Sequence, residues 1–435
     1  MFRRPRYKRS DRIVEIEPSM KIRAFSGDSL ELAGNSILAL SGLTLFYYLL
    51  YFDPVGFIYF VAEDYWAESA TFASFFMASG IVVWTLVKDR GYRTPGLFLL
   101  ALGAFLVAME EISWGQRLLG IRSPDFFAAK NVKGEMNLHN FIDVDAYYSL
   151  VAIGLFLYSI LLPLFTRKSI RLHRWCRDFG IPLVPVRLWP LFLLAVYFFA
   201  DHYSLKKSEV GEMYLGLAIA ALSLDLALTM RRGEQARGAL AAGATAGMLL
   251  SVGILTAVLV QLYPWPEKLR YNLNRFAAVR FPSAGMHRQA AMLFDYMDQN
   301  PQFLMAETPL HHGALLMRMG RHAKAKTILE RVLAEQEHLR QQHPDDPGPY
   351  RNAGMVLALL ARPQEAERAF VSAIEKYQAR LDRAAGAATK SSLHQSLGET
   401  FLMMGNSEAA SKHFTMARAL NTNLKTQLRI RSLMK

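Results

Sequence analysis

Cysteine is almost missing from this chain: Cys176 is the only one in 435 residues. A disulfide framework is thereby excluded, as is any zinc or iron–sulfur site built on several thiolates. Charge is sparse too, with Asp, Glu, Lys and Arg at 20% of residues, and the mean hydropathy is positive at +0.12. Of 11 histidines only three precede Trp265, namely His139, His173 and His202. The HExxH zinc motif, the GxSxG nucleophile elbow and the GxxxxGK[ST] phosphate loop are all missing. This is not the composition of an ordinary soluble enzyme.

What the chain has in their place is long apolar runs. A helix needs about 20 apolar residues to cross the hydrocarbon core, and seven runs approach or exceed that length: 33–52, 66–87, 95–113, 146–165, 181–200, 210–230 and 239–263. The first begins too late for a cleaved signal peptide and predicts a signal anchor. Orientation follows from Lys and Arg, because basic loops stay on the cytoplasmic side. Arg3, Arg4, Arg6, Lys8 and Arg9 precede the first run, and loops 88–93, 167–177 and 231–237 add eleven more basic residues, whereas 53–68 has none. The expectation is a basic cytoplasmic tail at 1–32, a seven-helix transmembrane domain at 33–264, a linker at 265–283 and an extracytoplasmic domain at 284–435. The basic tail reads as a topology signal, so the partner expected here is the lipid bilayer and not nucleic acid.

The last 170 residues are more polar and more basic, with 24 Lys and Arg against 15 Asp and Glu, and they repeat. Gly313, Gly354 and Gly398 are each followed twelve residues later by Ala325, Ala366 and Ala410. Four further on stand Leu329, Phe370 and Phe414, then Val332, Ala373 and Ala417. Small residues at such spacing let two antiparallel helices approach while a bulky one fills the space between them. The pattern resembles the tetratricopeptide repeat, although the glycines are 41 and 44 residues apart, longer than the usual period of about 34. The resemblance implies an α-solenoid that binds a protein or peptide, with Arg318, Arg351, Gln395 and Glu399 at positions able to face it. Segments 284–298 and 424–433 are expected to cap the stack.

On the proposed topology the polar residues of the apolar half gather at the outer face. Asp64 and Glu68 lie one helical turn apart, where two carboxylates repel unless a cation or a proton intervenes. Glu110, Ser113 and Arg117 share a helical face, and Glu111 points elsewhere. Trp114, Gln116, Glu135, Asn137, His139, Asn140, Asp201 and His202 follow on the same side. Ionisable groups at membrane depth are costly and default to a functional reading; the bland alternative is tolerance in the headgroup zone. Asp225, the one charge within a run, lies near the cytoplasmic end, where snorkelling accounts for it.

The blocks EEISWGQRLLG (110–120) and NVKGEMNLHN (131–140) resemble a signature of bacterial multispanning inner-membrane proteins. The resemblance implies that Glu110, Glu111, Trp114, Gln116, Arg117, Glu135, Asn137, His139 and Asn140 form one site on the outer side. It supplies no reaction. The fold class expected is all-α, a polytopic helix bundle followed by a solenoid, in the bacterial inner membrane with a cytoplasmic N-terminus and a periplasmic C-terminal domain. Two functions fit. In the first, the bundle modifies or transfers a lipid or lipid-linked envelope molecule, with Glu110, Glu111, His139 and Arg117 catalytic. A divalent metal is the cofactor this donor set suits, held by Glu111, His139, His202, Asp64 and Glu68. In the second, the bundle is a non-catalytic anchor and the repeats assemble an envelope complex.

Overall fold

The computed structural model describes residues 25–62, 65–116, 119–131, 136–138, 144–201, 205–232, 238–262 and 266–420. Every regular element among them is helical. The expected cap at 424–433 and most of the basic tail lie outside the described residues.

Four stretches are long and apolar enough to cross a membrane, not the seven expected. They are Glu31–Phe52 in α1 (Phe25–Phe52), Pro54–Lys88 over α2 (Pro54–Val61) and α3 (Trp66–Lys88), Tyr147–Lys168 over α6 (Val144–Phe156) and α7 (Leu162–Lys168), and Lys207–Thr229 in α10 (Lys207–Arg232). A fifth arises if Gly247–Gln261 and Pro266–Ser283, bent by 98°, count as one broken span. The other apolar runs fall short for local reasons. The third stops as helix α4 (Pro95–Glu111) after 17 residues, because the backbone turns left-handed at Ser113, Trp114 and Gly115. The fifth holds Pro182, Pro185 and Pro190; a proline lacks the N–H a helix interior needs, so α9 begins only at Trp189 and runs to Ala200.

Small residues set the helix spacing inside the bundle. A Cβ on Gly216 of α10 would lie 2.9 Å from the Ser74 Cβ of α3, so these backbones are as close as glycine allows. Large apolar side chains such as Ile37 and Leu40 of α1, and Phe98, Leu102 and Phe105 of α4, are exposed, as lipid-facing positions would be.

The expected boundaries at both ends of the bundle need correction. Helix α1 starts at Phe25, ahead of its candidate span at Glu31, so the last residues of the expected tail are helical. Residues expected as a linker are helical instead: α12 (Pro266–Arg275), a π turn, and α13 (Phe281–Ser283). Their Leu269, Leu273, Phe276 and Phe281 enter the bundle's own core, which continues through Phe294 and Met297 of α14 (His287–Gln299) to Leu315. Phe57 touches both Phe276 and Phe281, at centroid distances of 6.1 and 6.2 Å. Bundle and C-terminal helices therefore share one hydrophobic core.

Beyond α14 come three helical hairpins: α15 (Thr308–Arg318) with α16 (His322–Gln342), α17 (Pro347–Leu359) with α18 (Pro363–Arg383), and α19 (Ala387–Met403) with α20 (Ser407–Leu420). The repeat positions meet inside each hairpin. A Cβ on Gly313, Gly354 or Gly398 would come within 2.6–2.7 Å of Leu329, Phe370 or Phe414 respectively. Ala325, Ala366 and Ala410 are buried beside them.

The third hairpin carries a titratable pair. His394 and His413 face each other with their Nδ1 atoms 3.0 Å apart. Burial holds both below the ordinary value of 6.5, with Lys390 adding to the effect on His394 and His394 adding to it on His413. The unfolded chain therefore binds more protons than the folded one as pH falls below about 6.5. The contribution is complete above that pH and is lost on acidification. We expect the protection factors of α19 and α20, corrected for the intrinsic slowing of amide exchange in acid, to fall between pH 7 and pH 5 and the double variant His394→Gln/His413→Gln to flatten this response. A pH-independent wild type would count against the assignment.

Candidate functional site at the end of the bundle

Helix α4 ends where three successive residues take left-handed backbone, Ser113 at φ 48°, Trp114 at φ 56° and Gly115 at φ 74°. Such conformations are costly for non-glycine residues and persist only when their surroundings fix them. The fixing partners come from the second sequence block. Glu110 accepts from the Trp114 indole Nε1 at 2.8 Å and from the backbone N–H of Leu138. Gln116 accepts the Met136 backbone N–H at 2.8 Å and donates to Ser123 Oγ at 2.6 Å. Asn137 donates to Ser113 Oγ at 3.3 Å, while its side-chain and backbone oxygens accept from Asn131 Nδ2 at 2.9 and 2.8 Å. Ser113, Gln116, Asn131 and Asn137 are buried.

The two blocks are thus tied into one hydrogen-bonded knot, and Glu110, Trp114, Gln116 and Asn137 all belong to it. Ser113 does not share a helical face with Glu110, because the helix has already ended. Arg117, Glu135, His139 and Asn140 lie outside the described residues, as do Asp64 and His202. Neither Asn131 nor Ser123 was among the expected site residues, although Asn131 opens the second block; the one signal for Ser123 was membership of a polar loop between two apolar runs.

Glu111 points to a different cluster. It lies within electrostatic reach of Tyr147, as does Glu212 of α10. The neighbouring Tyr148 donates to Glu212 Oε1 at 2.7 Å, and Glu209 is also close to it. Glu209 in turn accepts from Lys206 at 3.5 Å, and Asp201 pairs with Lys207 at 2.5 Å. The backbone at Leu205 and Lys206 is left-handed, with φ of 60° and 54°. Carboxylates, phenols and ammonium groups are thus interleaved between the end of α4 and the first turns of α6 and α10, an arrangement able to move a proton or hold a polar headgroup. The tyrosine pair was the missed signal: Tyr and Trp favour the membrane–water boundary. Glu68 stands in the first turn of α3, where the helix dipole favours a negative charge without any ligand.

In the C-terminal hairpins three of the four expected partner-binding residues come together. Arg351 pairs with Glu399 at 3.6 Å and with Glu307 at 3.3 Å, and Gln395 donates to Glu399 at 2.9 Å. Arg318 is exposed in the last turn of α15.

No family model, curated protein or solved structure matches this chain.

The knot makes a specific prediction. Asn137→Ala removes the donor to Ser113 and one acceptor for Asn131, leaving buried polar groups short of partners at a cost of about 1–3 kcal/mol. Hydrogen exchange at residues 112–116 and 136–138 should accelerate while the hairpins stay protected. Unchanged exchange at both segments would show that the left-handed turn holds without the knot.

Proposed function

We propose that the protein is a membrane-anchored scaffold of the bacterial inner membrane. Its helical hairpins, a tetratricopeptide-like array on the outer side, hold a protein partner against the polar end of the bundle. One observation carries this reading: the core that begins among Phe46 and Phe57 of the bundle continues without a break to Leu315 of the first hairpin. A loosely tethered recruiting module would need no such joint, whereas a rigid mount fixes a partner's position relative to the membrane. The basic helix α8 (Ile170–Phe179), with Ile170 and Trp175 exposed beside four arginine and histidine positions, supports an inner-leaflet surface at the opposite end.

The shared core decides how the proposal is tested. Deletion from residue 284 would strip Phe294 and Met297 from the bundle, so its failure would mean little. Deletion of 347–435 spares α14, α15 and α16. That truncation uncovers Leu316, Ile328 and Leu329, on which Val356 packs, so its abundance in the membrane is measured first; at wild-type abundance it should lose cellular function as completely as deletion of the gene, and full function would overturn the scaffold reading. Orientation is read by labelling Ser411→Cys, an exposed position, in a chain whose one native thiol is buried. Labelling from the cytoplasmic side alone would refute the outer placement.

A second reading, acid–base chemistry on a lipid-linked molecule, is favoured by Glu111 and Glu212 both lying within electrostatic reach of Tyr147. Under it, Glu111→Gln abolishes function without lowering abundance; under the scaffold reading the same variant remains active.

A further inference from the structure

A cluster of metal-ligand type lies away from the bundle end, at the root of the hairpin array. Asp295 and Asp298 stand three residues apart on α14 and so share a face. Across from them, in the second turn of α15, is His312, whose side chain is only 1% exposed. His312 Nδ1 is 3.2 Å from Asp298 Oδ2, and Nε2 is 3.9 Å from Asp295 Oδ1. Neither ring nitrogen makes a well-aligned hydrogen bond, the Nδ1 approach to Asp298 being close in distance only. The Phe294 ring stacks on the imidazole at 4.9 Å and shuts one side off from water.

This arrangement is awkward without a cation. A neutral imidazole has one N–H and one lone pair. With a carboxylate oxygen near each nitrogen, either neutral tautomer leaves a lone pair facing negative charge, and the doubly protonated ring would have to carry its charge at 1% exposure against Phe294. Lys324 answers part of the problem, since its Nζ lies 2.8 Å from Asp295 Oδ1, but it leaves the buried nitrogens unpartnered.

We propose that Asp295, Asp298 and His312 bind a divalent transition metal of the zinc type. The donor set points to this class: calcium and magnesium prefer oxygen alone, whereas imidazole with carboxylates suits zinc and its neighbours. Three protein ligands leave a fourth position for water. One donor atom from each residue falls within 4.8 Å of the others. A tetrahedral site with bonds of about 2 Å needs edges of about 3.3 Å, so the two half-exposed aspartates close in and Asp295 exchanges Lys324 for the metal. The buried histidine stays where packing holds it.

The metal would act as a staple. Leu293, Phe294 and Met297 of α14 belong to the bundle's core, while α15 opens the hairpins. A bond from Asp295 and Asp298 to His312 joins these two helices at the point where the array is mounted. The inference is independent of the scaffold reading and of any chemistry at Glu111.

The test uses the full chain in detergent, stripped with a chelator and titrated calorimetrically with zinc chloride. One saturable equivalent is expected. Asp298→Asn and His312→Gln should each weaken it at least about 100-fold, more than loss of an outer-shell partner, while Asp345→Asn, an exposed acid elsewhere, leaves it unchanged. Lys324→Met should tighten it about tenfold, because a competing cation has gone. Absence of saturable binding in the wild type overturns the proposal, as does undiminished binding in Asp298→Asn, whose exposed position makes misfolding an inadequate explanation. Failure of Lys324→Met to tighten zinc binding removes Asp295 from the site and overturns the three-donor arrangement.

Discussion

Arg187→Met is expected to lower the thermal midpoint of the detergent-purified protein by about 3–5 °C. The Arg187 side chain is 8% exposed and lies between two carboxylates, 2.8 Å from Glu31 of α1 and 2.5 Å from Asp225 of α10. Its backbone carbonyl also accepts from Asn35 Nδ2 at 2.8 Å. Three segments are thus joined at one guanidinium: α1, the turn before α9, and α10. Removing it leaves two carboxylates near each other in a low-dielectric setting, which costs about 3–5 kcal/mol when one partner of a buried pair is lost. The triple variant Glu31→Gln/Arg187→Met/Asp225→Asn should recover much of that loss, because no uncompensated charge remains. A single variant as stable as wild type would mean that water reaches the site freely. Equal loss in single and triple variants would locate the effect in packing of the arginine stem.

This ion triad was beyond the reach of the sequence. Asp225 alone looks like a charge that snorkels to the nearer surface, and Glu31 falls in what reads as a cytoplasmic tail. Only the fold brings them to Arg187, since hydropathy registers each charge separately. The same blindness explains the span count. A window average sees apolar content at 95–113 and 181–200 but not the left-handed turn at Ser113, nor the prolines that delay α9. The segment at 266–283 misleads in the opposite direction: its many polar residues read as a linker, although Leu269, Leu273 and Phe276 recur on one helical face and a π turn brings Phe281 into the same core.

The knot was better foreshadowed. The two polar blocks were expected to meet, and the bonds from Leu138 to Glu110 and from Met136 to Gln116 join them. Their individual geometry was not legible, because it depends on where α4 stops. Nor was the Asp295–Asp298–His312 cluster visible: its histidine lies beside another in the repeat, and which of the two turns inward is a matter of helix phase. His312 is buried and His311 is not.

The repeat register was the most legible feature, and it supports the second large effect, on Phe370. Phe370→Ala should destabilise the hairpins by about 3–5 kcal/mol, the usual cost of emptying a buried phenylalanine site. The ring is 3% exposed and packs with Leu357, Ala366 and Ala369. Gly354→Ala attacks the same contact from the other helix. Its new Cβ would sit 2.6 Å from Phe370 Cδ1, well inside normal contact, so α17 and α18 must separate or the ring must turn. Overpacking of this kind costs about 1–3 kcal/mol. The two sites are coupled: in Gly354→Ala/Phe370→Leu the smaller side chain leaves room for the methyl group, and the double variant should lose less than the sum of its parts by about 0.5–3 kcal/mol. Denaturant unfolding followed by hydrogen exchange in α17 and α18 reads this directly. Strict additivity would mean that glycine at this position serves something other than the approach of the two helices. Sub-additive loss would tie the glycine and the aromatic sixteen residues later into a single packing unit, the physical basis on which the pattern at 313, 354 and 398 repeats.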